Sequence, residues 1–290
     1  MKRRNFLLYS LLFAAGCQAS QSFSTSQSTL IPEKLRFSVT DVLEEEKLKR
    51  DFEVFRQALA EVLATEVEFF VADSQTATAS ALQLEQVDLA LAGPAEYVII
   101  RSRTNAIPVI ELTRPNYRSV IVAPKSTKVQ SLEALKEKAI ALSDIGSTSG
   151  HLGPTKLLID AGLDPKTDIN LQMLGDDGSV KAIQDGQVEA WGGSAVDYEA
   201  FFGEQKDEFP IIAQTPLLPN DVFITTSQMK PEIIEEIRSR MFDNQDKLLA
   251  ALVKGEKTQK YRDSELLPAQ DSHYDMIREV YRAIGEEELL

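Results

Sequence analysis

The sequence predicts an α/β fold of two lobes, each a mostly parallel sheet flanked by helices, with a ligand site in the cleft between them. Three observations predict it. Short apolar, β-branched runs alternate with stretches of helical spacing, the pattern of sheets covered by helices. The alternation runs through once and starts again near residue 123. About 255 residues remain after a short leader, more than a typical single core holds.

In the first set, Leu35–Thr40 alternates as a strand. Val42 to Leu63 places Leu48, Phe52, Phe55, Leu59, Val62 and Leu63 at helical spacing, which predicts an amphipathic helix. Val67–Val71 reads as a strand, 76–84 as a helix and Val87–Ala92 as a strand stopped by Gly93-Pro94. A helix over 95–102 and strands over 108–112 and 119–123 complete this set. The second set reads helix 132–136, strand 139–143, helix 149–161, strand 169–174, helix 179–185, strand 188–191 and helix 196–202. Strands follow at 211–213 and 222–226. Pro231 suits a first helical position and opens a long helix to about Val253. A last helix covers 274–284. The expected division is residues 34–122 with 224–290 for the first lobe and 123–223 for the second.

Lys2, Arg3 and Arg4 precede an apolar run from Phe6 to Ala15. That run is far shorter than the roughly 20 residues of a membrane-spanning helix, so residues 1–16 read as a secretory signal. It ends in Ala14-Ala15-Gly16-Cys17, which resembles a bacterial lipobox with Ala14 in place of the commoner leucine. Cys17 is the single cysteine of the chain, so it has no internal disulfide partner, and its place favours lipidation. An ordinary signal that happens to contain a cysteine is the alternative. Residues 17–33 are rich in Ser, Thr and Gln and read as a tether. The net charge is −14, and removing residues 1–16 leaves −17, a poor match for nucleic acid or an anionic membrane surface. Membrane contact is expected through the lipid anchor alone.

The stretch from Ser143 to Pro154 follows a strand and opens a helix. Ser147, Thr148 and Ser149 stand between Gly146 and Gly150 where free backbone N–H groups point outward, an arrangement suited to anions. Simple helix capping by Ser147 or Thr148 is the alternative.

Ser147-Thr148-Ser149-Gly150, with Pro154, Leu157, Leu158 and the run Ala161–Pro165, resembles the phosphonate-binding proteins of phosphonate and phosphite uptake transporters. Ser131–Lys136, Gln86–Ala90 with Gly93–Tyr97, and Val180–Ile183 with Gly186–Ala190 add weaker matches in the right order. The resemblance implies a two-lobe, type II periplasmic binding protein fold. It also implies a small anionic ligand of the phosphonate or phosphite class, an ABC permease partner, an extracytoplasmic location, and neither cofactor nor metal. Ser147, Thr148 and Ser149 then hold the oxyanion. Tyr97 matches the tyrosine of a Gly-Pro-x-x-Tyr segment that lines the cleft; packing on the first helix of the lobe is its alternative.

Two positions depart from the family. Asp176, in Gly175-Asp176-Asp177-Gly178, stands where the family has an oxyanion-binding histidine, and Gln75 lies near a family tyrosine. An ionised Asp176 about 4 Å from an anionic charge costs roughly 4 kcal/mol at an effective dielectric of about 20. Helix capping by Asp176 or Asp177, protonation, or a cationic group on the ligand each relieves this. His151 follows the anion loop and is a candidate for the missing imidazole. In Trp191–Tyr198, two glycines permit close backbone approach, and the resemblance implies a polar or acidic residue here near the ligand's organic part, with Ser194, Asp197 and Trp191 as candidates; a turn with Asp197 or Ser194 as N-cap is the alternative.

Catalysis is not expected. The chain has no Gly-x-Ser-x-Gly elbow, Walker loop or His-Glu-x-x-His, and only two histidines. A subunit presenting ligand to a membrane sensor, or the same fold with another small polar ligand, stays open beside the transport reading.

Overall fold

The computed structural model describes residues 30–40, 44–72 and 75–290. The expected signal, Cys17 and most of the tether lie outside the described residues.

The first lobe begins with β1 (Lys34–Val39), α1 (Glu45–Leu63), β2 (Glu66–Phe69), α2 (Gln75–Gln83), β3 (Leu89–Ala92), α3 (Pro94–Thr104) and β4 (Ile107–Leu112). The second holds β5 (Ser119–Val122), β6 (Ala139–Leu142), α4 (Gly153–Asp160), β7 (Asn170–Met173), α5 (Gly175–Gln184), β8 (Ala190–Ser194), α6 (Ala195–Phe202) and β9 (Ile211–Gln214). The chain returns to the first lobe through β10 (Asp221–Thr225), α7 (Pro231–Asp243), α8 (Gln245–Leu252), β11 (Leu266–Pro268) and α9 (Asp275–Ile284).

The sheets run β11-β4-β10-β3-β1-β2 and β7-β6-β8-β5-β9. Period-2 alternation distributes each strand between two apolar layers. Leu35, Phe37, Val39, Leu89, Leu91 and Phe223 face α1, α7 and α8, while Ala90, Ala92, Val222 and Ile224 face α3 and α9. Phe37, Phe55 and Phe223 form the aromatic centre of the first layer, with Phe55 and Phe223 stacked at 5.9 Å. In the second lobe Val120, Val122 and Ala141 face one way and Ile121, Ile140 and Leu142 the other.

Both sheets are mixed rather than mostly parallel. β1 pairs parallel with β2 and β3, and β6 with β7 and β8. β10 and β5, the strands that follow the two passages between lobes, run antiparallel to their neighbours. Each enters its sheet from the other lobe, without the βαβ crossover that enforces parallel order. The passages also move the lobe boundaries. The expected cut after residue 122 would put β5 in the first lobe, and the cut at 224 falls inside β10. Sheet membership places the passages at 113–118 and 215–220. They are tied together: Leu218 N–H donates to Tyr117 O at 2.9 Å, and Arg118 Nη1 to Thr215 O at 3.0 Å.

Two helix boundaries differ from expectation. The expected helix over 231–253 breaks at Asn244, whose Nδ2 donates back to Arg240 O at 2.9 Å, a local bond that competes with the helical ladder. α5 starts at Gly175 rather than Ser179, because Gly175 adopts φ +69° and turns the chain directly into the helix.

Candidate functional site

A cavity of about 910 Å³ lies between the lobes. The first lobe contributes the start of α3 and the end of α9, the second contributes Ser143–His151 with Asp176 and Asp197, and Arg114 and Tyr117 line it from the first passage.

β6 delivers Ser143 to the cavity edge. Gly146 turns at φ +86°, and Ser147 then caps a single π-helical turn, Thr148–Leu152, its Oγ accepting from Gly150 N at 3.1 Å. Leu152 N–H reaches back to Ser147 O at 2.9 Å, the five-residue step of that turn. A helix start leaves its first N–H groups without intrahelical acceptors, and here they belong to Thr148 and Ser149. A side chain at Gly150 would collide with Ser143, and one at Gly153 with Ser119. The loop is therefore clamped from behind, and Ser119 Oγ donates to Ser149 O at 2.8 Å.

The three hydroxyls have distinct surroundings. Ser147 holds the cap. Thr148 Oγ1 accepts from Ala95 N in the first lobe at 3.2 Å, which leaves its proton for a ligand. Ser149 pairs with the hydroxyl of Tyr117, a buried ring that desolvation pushes above its ordinary pKa. His151 is 4 % exposed, and its Nδ1 accepts from Gly146 N at 3.1 Å, so the ring proton sits on Nε2. Burial lowers its pKa to about 4, and it is a neutral donor at physiological pH.

Asp176 lines the cavity and accepts the Ser143 hydroxyl. It lies in the first turn of α5, whose N-cap is Leu174 with no side-chain cap bond, so neither Asp176 nor Asp177 caps the helix as expected. Its place in the first turn of α5 is still one where the helix dipole favours a carboxylate. Asp197 lines the cavity as well. Ser194 sits behind it as the N-cap of α6, its Oγ accepting from Asp197 N at 3.0 Å and donating to the Asp197 carboxylate. Ser194 itself is a capping residue outside the lining.

Tyr97 and Trp191, expected at the site, both belong to the core. Tyr97 is fully buried in the first lobe, its hydroxyl donating to Asp271 Oδ1 at 2.7 Å and its ring edge-on to Tyr274 at 4.5 Å. Helical rotation explains it: Pro94, Ala95, Glu96 and Ile99 of α3 line the cavity, and Tyr97 turns inward. Trp191 is likewise core, bonded through Nε1 to Ser179 Oγ at 2.9 Å and edge-on to Phe202. Gly192 and Gly193 make room for Leu142, Pro154 and the Trp191 ring rather than for a ligand. Gln75 opens α2, and its side chain lies outside what the structure describes.

A charged cluster at the back wall escaped the sequence reading. Asp221 is 2 % exposed, and it accepts the Tyr261 hydroxyl at 2.6 Å. Arg114 Nη1 lies 3.5 Å from its Oδ1 and Lys260 Nζ 3.9 Å from its Oδ2. The Arg114 guanidinium stacks 3.6 Å over Tyr117. Burial alone would lower the Arg114 pKa, but the Asp221 charge holds it above its ordinary value. Arg114 lies in the first passage between lobes, and Asp221 opens β10 directly after the second.

Residues 37–274 match the family of ABC-transporter phosphonate periplasmic substrate-binding proteins. The phosphate-import protein PhnD of Mycolicibacterium smegmatis is 24% identical over 308 residues, covering 95% of this chain and 94% of that protein. Among solved structures, XAC2383 from Xanthomonas citri bound to ATP is similar with a TM-score of 0.68 and 18% identity, covering 89% of this chain and 98% of that one. PhnD1 from Prochlorococcus marinus in complex with methylphosphonate has a TM-score of 0.64 and 18% identity, covering 88% of this chain and 99% of that one.

Proposed function

The chain belongs to the family of periplasmic substrate-binding proteins of phosphonate ABC transporters, and from that premise we propose that it captures a phosphonate- or phosphite-type oxyanion between its lobes and delivers it to an ABC permease. The observation that carries the reading is the Ser147–Ser149 loop at the cavity wall, with Thr148 hydrogen-bonded across the cleft to Ala95.

The ligand's oxygens lie against the Thr148 and Ser149 N–H groups and the Thr148 hydroxyl, with the neutral His151 Nε2–H as a further donor. Ser147 holds the turn in shape. Ligand then makes contacts with both lobes only when the cleft is closed, so binding selects the closed form for docking on the permease. The cavity of about 910 Å³ leaves room for an organic substituent on phosphorus.

Asp176 supports phosphorus over sulfur. A carboxylate only accepts hydrogen bonds. A singly protonated phosphonate or phosphate offers a P–OH donor, whereas a sulfonate is fully ionised and offers none. Facing Asp176, the protonated monoanion also carries less repulsion than the dianion. The phosphate and methylphosphonate named for the two PhnD relatives fit this chemistry. An extracytoplasmic location follows the family, and we assign the membrane anchor to lipid on Cys17.

Calorimetric titration of the purified protein with phosphite, methylphosphonate, 2-aminoethylphosphonate, phosphate and sulfate tests the reading. Micromolar or tighter binding of a phosphorus compound, weakened about thirtyfold in Thr148→Ala, is expected. A folded protein that binds none of them overturns it.

A further inference from the structure

The C-terminal helix α9 reaches across the cleft. It packs on α3 in its own lobe, yet Ile277, Val280 and Tyr281 share a buried cluster with Leu152 of the π turn, against which Ile159 of α4 also packs. Lys156 of α4 lies 3.4 Å from Glu279. The family match ends at residue 274, so α9 lies beyond it.

Tyr281 is the residue of this helix that meets the anion loop. It is 2 % exposed and lines the cavity, and its hydroxyl has no hydrogen-bond partner. A Cβ built on Gly146 would stand 3.6 Å from that oxygen, so the phenol faces the turn of the loop where no side chain intervenes. A buried hydroxyl is nearly always bonded, and one left alone next to an anion loop calls for an explanation. Burial, with the Glu96 and Glu286 charges, raises its pKa to about 12, which keeps the proton on the oxygen. Packing fixes the ring, so the donor is held in place before any ligand arrives.

We propose that Tyr281 is a ligand-binding residue whose hydroxyl donates to an oxygen of the anion held by the Ser147–Ser149 loop. The proposal rests on the anion-capture reading above and deepens it. The site lacks an imidazole at Asp176, and the first lobe supplies a donor from α9. Anion bound to the loop then also holds α9, and with it the apolar contacts to Leu152 and Ile159, against the second lobe.

Tyr281→Phe tests this, because it keeps the ring and removes the hydroxyl. In titrations with methylphosphonate, phosphite, phosphate and 2-aminoethylphosphonate, the variant should bind the best wild-type ligand roughly ten- to a hundredfold more weakly, as expected for a lost bond to a charged acceptor. Without ligand it should melt no lower than wild type, since no internal hydrogen bond is removed. In the wild-type protein the same ligand should move the Cζ resonance of Tyr281, a reading independent of how the variant folds. An unchanged Kd in Tyr281→Phe while Thr148→Ala weakens binding, or an unmoved Tyr281 resonance at saturating ligand, overturns the proposal and leaves the anion reading intact. A wild-type protein that binds none of these anions overturns both.

Discussion

The Thr148 hydroxyl in the second lobe accepts the backbone N–H of Ala95, at the start of α3 in the first lobe, at 3.2 Å. That bond uses an oxygen lone pair and leaves the hydroxyl proton free. One side chain therefore joins the lobes and retains a donor for an oxyanion. Thr148→Ala should weaken phosphonate binding by about 2 kcal/mol, some thirtyfold, because a bond to a charged acceptor is lost. Thr148→Ser keeps the hydroxyl and should stay within a few-fold of wild type. Calorimetric titration of both variants checks this, and equal losses in the two would mean that the hydroxyl makes no bond to the ligand.

Gly150 is required by crowding rather than by a left-handed backbone. Its Cα approaches Ser143 so closely that a methyl would collide with the serine Cβ. Gly150→Ala should push the π turn outward, with a stability loss of about 1–3 kcal/mol and a larger loss of anion binding. Thermal unfolding and titration together measure it. A variant with both properties intact would mean that Ser143 yields freely.

Tyr97 separates core from site. Its hydroxyl donates to Asp271, which also pairs with Arg101 at 2.8 Å. Tyr97→Phe should lower stability by about 1 kcal/mol, a melting shift of about 2–4 °C. Ligand affinity should stay within about twofold, since the ring is fully buried away from the cavity. A large affinity loss at unchanged stability would return Tyr97 to the site.

The strand and helix alternation was legible in the sequence because each element carries its own period. Phe52, Phe55 and Leu59 announce α1, and Leu89 and Leu91 belong to a strand in any context. The anion loop was legible too, because Ser147–Gly150 is contiguous. What escaped was assembled by the fold. Arg114 and Asp221 lie more than 100 residues apart and meet only because both passages cross at one place. Tyr281 had no signal beyond helical spacing, since its neighbour in space, Gly146, lies in the other lobe. β11 is three residues long and pairs at the sheet edge, too short for periodicity to register. Trp191 and its glycines misled for a local reason: glycine before a helix looks the same whether a ligand or a neighbouring indole fills the space.

Asp176 is the position at which ligand class is open to change. It accepts the Ser143 hydroxyl and lines the cavity. Asp176→Asn keeps the shape, removes the charge and offers a donor. Affinity for methanesulfonate relative to methylphosphonate should therefore rise about tenfold or more, because the sulfonate no longer meets a carboxylate and gains an amide donor, while the P–OH of the phosphonate loses a charged acceptor. Competition titration gives the ratio. A constant ratio would place Asp176 out of contact with the ligand.

His151 makes the fold sensitive to acid. Its folded pKa is about 4, lowered by burial, against roughly 6.5 in an unfolded chain. Between those values the unfolded state binds the proton and the folded state does not. Stability from this group is thus complete above about pH 6.5 and is lost as pH falls toward 4. From pH 7 to pH 5 the loss is about 2 kcal/mol by linkage. His151→Asn keeps an acceptor for the Gly146 N–H without the titration, so its stability should fall less over that interval by about the same amount. Urea unfolding of wild type and variant at the two pH values isolates the term, since the carboxylates common to both cancel. Parallel losses would mean that the His151 ring is free to take up a proton in the folded protein. The Gly146 turn, whose N–H that ring nitrogen accepts, would then be held by something other than His151.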